Sequence, residues 1–331
     1  MGTTCTVEDT LLLPGESPAW RELVRTVRSV APCRLPVLVH GESGSGKEGV
    51  ARAVHAWSRR ACGQFVAINC ASLSETLLEA ELFGALRGAY TGCERDRPGL
   101  LRQAAGGTLL LDEVGEMSPG LQVKLLRFLD DGRVRPVGGT RETGCDVRIV
   151  AATHRDLHRS TQTGGFRSDL WWRLAVIRIE VPPLRRRLAD LPLIVEKLAP
   201  LLEAECGRGP LRLSRPAWAR LAEHAWPGNI RELRGVLARA LLDTAALPLD
   251  EDSIRLDRLP GREPTEAKSL EECMIRDALD SSAGHIGRAA ARIGWSRQKL
   301  YRRMSALQIR TAQSVRRDLE STTSSANSTF Q

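Results

Sequence analysis

The stretch PVLVHGESGSGKEGVARAVHAW, residues 36–57, decides the fold of this chain. It opens on Pro36–His40, a brief run rich in Val and Leu such as a buried strand carries. It closes on Gly49–Trp57, whose apolar residues recur at helical spacing. Between them lies GESGSGKE, 41–48. Glycines let backbone N–H groups close around phosphate oxygens, and the N-terminus of the following helix attracts the anion. In that reading Gly41, Glu42, Ser43, Gly44, Ser45 and Gly46 form a phosphate loop, and Lys47 neutralises the β- and γ-phosphates of ATP. The general pattern asks for Ser or Thr after the lysine; here Glu48 stands in that place. Taken alone, such a stretch could also be a Gly-rich turn without a ligand.

Downstream, Thr108-Leu109-Leu110-Leu111 is an apolar strand ending in Asp112-Glu113. A carboxylate at a strand end can hold Mg²⁺, here Asp112, and its neighbour Glu113 can orient or deprotonate the attacking water. The bland alternative is an acidic helix start after a buried strand. Both halves of an ATP site occur in the right order and context, which favours the site. Gln64–Ile68, Val147–Ala151 and Val176–Val181 complete a set of short Val/Ile/Leu-rich runs alternating with helical patterns. That alternation predicts an α/β domain with a doubly wound parallel sheet over 14–182. Residues 183–246 read as all-helical, a lid, with Leu191, Ile194, Leu198 and Leu201–Leu202 at helical spacing. A Pro-, Asp- and Arg-rich linker is expected over 247–268 and a compact helical segment over 269–310, opened by the capping box Ser269-x-x-Glu272. Residues 1–13 are a short leader, and the polar tail 311–331 is expected to be disordered.

Composition narrows the function. No apolar run approaches the roughly 20 residues needed to cross a bilayer, and the N-terminus lacks the pattern of a signal peptide. Cys5, Cys33, Cys62, Cys70, Cys93, Cys145, Cys206 and Cys273 are scattered singly with no CxxC pair, so neither a zinc site nor a disulfide framework is indicated. Reduced thiols in a cytoplasm are the plain reading, with no membrane partner. The formal net charge of +8 favours an anionic partner. From Ser281 to Arg317 there are nine Lys or Arg and no Asp or Glu.

Within this run, small alanines around Ala289–Ala291 permit close helix contact, Gly294 makes a turn, and Ser296 can cap a second helix. Arg288 precedes the turn. Arg297, Gln298, Lys299, Tyr301, Arg302 and Arg303 come after it, a set suited to reading base edges and holding phosphates of double-stranded DNA. The alternative is a basic helical hairpin that binds another protein.

Taken together, these motifs resemble the sigma-54-dependent transcriptional activators, the bacterial enhancer-binding proteins of the AAA+ family. The resemblance runs from about Pro14 to Asp243 and resumes over 269–309, where it is to the family's C-terminal Fis-like helix-turn-helix. It implies an AAA+ doubly wound sheet with a helical lid, and it accounts for Glu48, since the family has Glu after the P-loop lysine. Its ATP contacts include the segment AAGGTLLLDE, which implies roles for Ala104, Ala105, Gly106, Gly107, Thr108, Leu109, Leu110 and Leu111 besides Asp112 and Glu113. ELFGALRGAYTGC, 81–93, resembles the family's signature loop, which projects from the ring and grips sigma-54. Gly88, Ala89, Tyr90, Thr91, Gly92 and Cys93 are the implied contacts. Tyr90 stands for the usual Phe, Cys93 for Ala, and Ala85-Leu86-Arg87 for His-Glu-Lys. Glycines around one aromatic agree with a displayed loop; a turn that packs Tyr90 inward is the alternative.

VRIVAATHRDL, 147–157, resembles the sensor I strand, with Thr153 nearest the γ-phosphate; His154 replaces the usual Asn and receives no role. FRSDLWWRL, 166–174, resembles the helix of arginine fingers, implying that Arg167 and Arg173 reach a neighbouring subunit's γ-phosphate, against the plainer reading of surface arginines paired with Asp169. WPGNIREL, 226–233, resembles sensor II, with Arg231 on the nucleotide. Asn69 matches the asparagine that contacts the catalytic glutamate. The implied function is an ATP-dependent activator, a hexamer when active, that binds an upstream activating sequence and remodels the closed complex of sigma-54 RNA polymerase. No receiver domain is expected before residue 14, so activity would be constitutive or set by an outside partner. The rival is a DNA-binding regulator that binds ATP without engaging sigma-54, and the loop at 88–93 separates the two. A metabolic P-loop kinase would explain neither the loop nor the helix-turn-helix.

Overall fold

Alternation of side chains along five short strands builds the core. In the computed structural model these are β1 (Val37–His40), β2 (Phe65–Asn69), β3 (Thr108–Asp112), β4 (Arg148–Thr153) and β5 (Ile177–Glu180), all parallel, in the order β2-β3-β4-β1-β5. The structure describes residues 13–90, 93–243, 248–256 and, beyond these, 275, 278–279, 282, 285–293 and 297–306. It divides into two units, 1–256 and 257–331. The central strands β1, β3 and β4 are buried almost throughout, as a sheet covered on both faces requires, whereas β2 and β5 lie at its edges and are partly exposed.

Because successive residues point to opposite faces, each central strand feeds two cores. Val37, Val39, Leu110, Val150 and Ala152 meet helices α1 (Pro18–Val30) and α2 (Lys47–Ala56) on one side. Leu38, Leu109, Leu111, Ile149 and Ala151 meet α3 (Glu75–Phe83), α4 (Pro119–Asp131) and α5 (Ser168–Leu174) on the other. Capping fixes where helices begin. The hydroxyls of Ser17 and Ser118 accept from Trp20 N and Leu121 N, and each is followed by Pro at the first helical position.

The lid packs α6 (Leu191–Cys206), α7 (Arg215–Glu223) and α8 (Asn229–Asp243) around Ile194, Leu198, Leu202, Leu221, Trp226, Leu233 and Leu237. Leu201 is the exception to the expected apolar face: it is 56% exposed, while its neighbour Leu202 is 1% exposed. The linker expected from 247 starts too early. Leu249 bridges Leu213, and both Leu249 and Ile254 are fully buried in the lid core. These two apolar anchors outweigh a composition otherwise typical of a linker; 257–268 fall outside the described residues.

A buried ion pair joins the chain start to the beginning of the lid. Asp190 accepts from Glu16 N, Ser17 N and Ser17 Oγ, each at 2.7 Å. It also pairs with Arg187, whose guanidinium lies 3.5 Å from the Trp20 ring centroid. Burial pulls the Arg187 pKa down to about 10 against the opposing pull of Asp190.

In the second unit, α9 (Ile286–Arg292) and α10 (Arg297–Ala306) share a core of Ile275, Ala278, Leu279, Ala289, Ala290, Leu300 and Met304. Ser269, Glu272, Gly294 and Ser296 lie outside the described residues, as do most of 1–13 and all of 307–331. Among the described residues no helix is long and apolar enough to cross a membrane.

Candidate nucleotide site and its flanking surfaces

The three central strands end together at one edge of the sheet, and the site is built from the segment that leaves each of them. The loop after β1 turns on two glycines in left-handed backbone, where a side chain would be strained. Gly44 has φ 74°, and a Cβ there would sit 2.4 Å from the Gly228 carbonyl; Gly46 has φ 100° at the start of α2. Lys47 is 7% exposed, and its ammonium donates to the carbonyls of Gly41 (3.0 Å) and Glu42 (3.3 Å). Ser45 is buried, with its hydroxyl on the Glu42 carbonyl. Glu48 faces outward along α2 and pairs with Arg52. A buried lysine at a helix N-terminus below a loop of left-handed glycines fits the phosphates of a nucleotide.

After β3 come the two carboxylates. Asp112 is half-buried; burial first, then the adjacent Glu113 charge, raises its pKa above the usual carboxylate value, with Lys47 opposing. Glu113 sits in left-handed backbone (φ 51°), and its Oε1 lies 3.4 Å from Lys47 Nζ. Its Oε2 lies 2.7 Å from His154 Nδ1 and accepts from His154 N at 3.2 Å. Burial alone would raise the Glu113 pKa, but the His154 hydrogen bond and the Lys47 charge outweigh it and lower it. Among the described residues no group of three or more His, Cys, Asp or Glu could hold a metal ion. One carboxylate beside a phosphate loop suits Mg²⁺, which is typically bound by one or two carboxylates plus substrate phosphates.

After β4, the Thr153 carbonyl accepts from Gly41 N (3.2 Å) and the buried Thr153 hydroxyl accepts from Arg155 N (3.1 Å). His154, given no role from sequence, holds the glutamate. Asn69 does not: its Oδ1 accepts from Ala71 N (2.8 Å) in a turn after β2. The expected Asn69–Glu113 contact is replaced here by the one from His154.

The lid closes the site from above. Asn229 is fully buried at φ 52°; its Nδ2 donates to Glu42 Oε2 and the Ser43 carbonyl, both at 3.1 Å, and its Oδ1 accepts from Leu184 N. Arg231 Nη1 reaches Ser43 Oγ at 2.9 Å, so this arginine of the lid rests on the phosphate loop. Arg185 pairs with Glu42 at 2.7 Å. Asn229 and Arg185 escape a reading of the sequence because a turn residue and one arginine in a run of three carry no local signal.

Several implied contacts sit elsewhere. Leu109, Leu110 and Leu111 are buried inside the sheet. Ala104, Ala105, Gly106, Gly107 and Thr108 precede or open β3 at its other end, where Gly106 N donates to the Asp146 carbonyl and Thr108 Oγ1 meets His55 Nδ1. At about 3.3 Å per residue, only the Asp112–Glu113 end reaches Lys47. This corrects the nucleotide-binding role for 104–111. Arg167 and Arg173 are exposed on the α5 segment, paired with Asp169 and Asp130 within the chain.

Residues 86–90 follow Gly84–Ala85, which pairs antiparallel with Arg97–Pro98. Leu86 N donates to the Val137 carbonyl, and Gly88 N to the Cys93 carbonyl. Gly88 is exposed, whereas Ala89 and Tyr90, like Val137, pack partly against a cluster of Ala80, Ala85 and Cys93. Cys93 is buried, its thiol donating to the Leu86 and Arg95 carbonyls, so it anchors the loop base rather than offering a contact surface. Thr91 and Gly92 lie outside the described residues.

On the second unit, Arg288, Arg297, Gln298 and Arg302 are exposed and Arg303 is half-buried. Gly287 leaves room for the Arg297 guanidinium. Lys299 and Tyr301 lie on α10, between Arg297 and Arg303.

Comparison with known proteins is specific along the chain. The family described as the Sigma-54 interaction domain matches residues 13–180, the AAA+ ATPase lid domain matches 185–271, and the bacterial regulatory proteins of the Fis family match 267–307. The Nif-specific regulatory protein of Azotobacter vinelandii is 42% identical over 291 residues, 88% of this chain and 56% of that protein. The transcriptional regulatory protein ZraR of Escherichia coli K12 is 41% identical over 299 residues, 88% of this chain and 68% of that protein. A crystal structure of NtrX from Brucella abortus in complex with ATP is similar at a TM-score of 0.68 and 36% identity, covering 90% of this chain and 69% of that one. The chain thus spans a little over half the length of the Nif regulator.

Proposed function

The chain belongs to the sigma-54-dependent transcriptional activators, AAA+ ATPases that carry a Fis-type helix-turn-helix, and from that premise we propose that it hydrolyses ATP to remodel sigma-54 RNA polymerase while bound to DNA upstream of its promoters. The observation that carries this reading is the meeting of Lys47, Glu113 and His154 at the end of the sheet, beside Asp112 and under Arg231.

In this mechanism the 41–46 loop and Lys47 bind the phosphates, and arriving phosphate oxygens displace Glu113 from the ammonium. Glu113, held by His154, takes a proton from the attacking water. Asp112 would hold Mg²⁺, which would supply charge neutralisation at the phosphates. Arg167 and Arg173 give up weak exposed ion pairs to stabilise charge on a γ-phosphoryl group bound by the next subunit, so turnover requires assembly, a hexamer in the active form. Asn229, Arg185 and Arg231 tie the phosphate loop to the lid, so a change at the nucleotide moves the lid. The loop 88–93 carries the resulting movement to sigma-54, and Arg288, Arg297, Gln298, Lys299, Tyr301, Arg302 and Arg303 hold DNA.

The partly packed Tyr90 favours one rival, an ATP-binding DNA regulator whose loop never engages sigma-54. In vitro transcription from a sigma-54 promoter decides between them. Open complexes that form with ATP but not with a non-hydrolysable analogue are expected. Promoter binding and ATP hydrolysis without open-complex formation would establish the rival.

A further inference from the structure

The edge of the sheet opposite the phosphate loop carries a second concentration of positive charge. Arg34, Arg59, Arg60 and Arg148 line a recess of about 200 Å³, together with Cys33 and Asp146. Arg148 opens β4, whose last residue, Thr153, adjoins the phosphate loop, so the recess lies roughly 16 Å away along the strand.

The guanidinium of Arg148 is unusual here. It is 1% exposed; Nη1 donates to the Ala31 carbonyl at 2.6 Å and Nη2 to the Val30 carbonyl at 3.1 Å, at the end of α1. Its Nε, also buried, makes no hydrogen bond. Buried N–H groups are nearly always paired, so an orphan beside a recess calls for an acceptor. The charges around it point the same way. Asp146 is the acidic residue of the lining, and its carboxylate is taken by Arg60. Among the described residues, Arg34 and Arg59 have neither an ion pair nor a hydrogen bond, and both are exposed. Planar guanidinium forks match the paired oxygens of a phosphoryl group better than a single carboxylate or halide.

We propose that this recess binds the phosphoryl group of a small phosphorylated molecule, at a site separate from the ATP site. The proposal does not depend on the function assigned above. The DNA backbone offers the same chemistry, but a recess of about 200 Å³ suits a compact ligand better than a duplex.

Cys33, exposed in the lining, is a built-in reporter. The full chain carrying Lys47→Ala, which silences the phosphate loop, is treated with iodoacetamide, and alkylation of each cysteine is followed by mass spectrometry. Inorganic pyrophosphate is expected to slow Cys33 alkylation several-fold and saturably while leaving Cys206 in the lid unaffected. Adding Arg34→Ala and Arg59→Ala, both exposed positions, should remove the protection. Sodium chloride at equal ionic strength should give none. The proposal is overturned if pyrophosphate gives no protection, if chloride protects equally, if the double arginine variant is still protected, or if only duplex DNA protects.

Discussion

His154 Nδ1 lies 2.7 Å from Oε2 of Glu113, across 41 residues of sequence, and the His154 backbone N–H reaches the same oxygen. The imidazole is thus the side chain that fixes the expected general base once phosphate draws Lys47 away. His154→Ala should lower kcat for ATP on the order of ten-fold by freeing that base, with KM little changed, because Lys47 and the glycine loop are untouched. His154→Asn, which keeps a donor, should recover most of the rate. The pH profile carries the sign. His154 and Lys47 hold the Glu113 pKa low, so its base form survives to lower pH in the parent. Losing His154 raises that pKa, and the acid limb of kcat should move to higher pH. An unmoved limb with full kcat would remove His154 from the mechanism.

Asp112 is shifted the other way. Burial and the Glu113 charge raise its pKa, so the folded chain favours its protonated form more than the unfolded chain does. Above both pKa values, ionised Asp112 therefore destabilises the nucleotide-free protein, and the penalty vanishes as pH falls through the raised folded value. Asp112→Asn should raise the melting temperature of the nucleotide-free protein near neutral pH by roughly 1–3 °C, with the difference shrinking in acid, while hydrolysis is lost. Calorimetry across pH tests this; a variant that melts lower at neutral pH would contradict it.

Much of this arrangement is legible in the sequence because its signals are local. Glycines before Lys47, carboxylates after a buried strand, and five brief apolar runs each report on their own neighbourhood, and all five runs form strands of one parallel sheet. The features that escape such a reading depend on tertiary contacts. The role of His154 arises only because β3 and β4 end side by side. The 104–111 stretch reads as one motif, yet a strand has two ends and only one faces the nucleotide. Cys93 looks like any small loop residue until its thiol is found among backbone carbonyls. Leu249 and Ile254 sit in a composition that reads as a linker, and only the lid core reveals them as anchors.

Among the described residues, Arg167 and Arg173 pair with Asp169 and Asp130 and not with the phosphate loop, Asp112 or Glu113. If they serve a neighbouring subunit, Arg167→Ala and Arg173→Ala should each lower hydrolysis by roughly a thousand-fold while leaving ATP affinity intact. Mixing either with an Asp112 variant should restore part of the activity, since some interfaces then combine two intact halves. Mixtures that never exceed the sum of their components would place the arginines outside the reaction.

The loop separates the enzyme from its rival most directly. Tyr90 packs partly on the cluster of Ala80, Ala85 and Cys93, and Cys93 closes the loop base. Neither touches Lys47, Asp112 or Glu113, so Tyr90→Ala should hydrolyse ATP at the parental rate. It should nevertheless fail to bind sigma-54 in the presence of ADP–aluminium fluoride and fail to activate a sigma-54 promoter, because the ring that transmits movement in the proposed mechanism is gone. Tyr90→Phe keeps the ring and should retain activity, which shows that the hydroxyl is dispensable. Cys93 makes a different test, since its part is internal. Cys93→Ala fills nearly the same space without the thiol donors and should leave coupling intact, whereas Cys93→Asp would bury a charge at the loop base and uncouple hydrolysis from transcription. Normal transcription by Tyr90→Ala would mean that this chain does not reach sigma-54 through the loop, and the DNA-binding regulator would then be the better account.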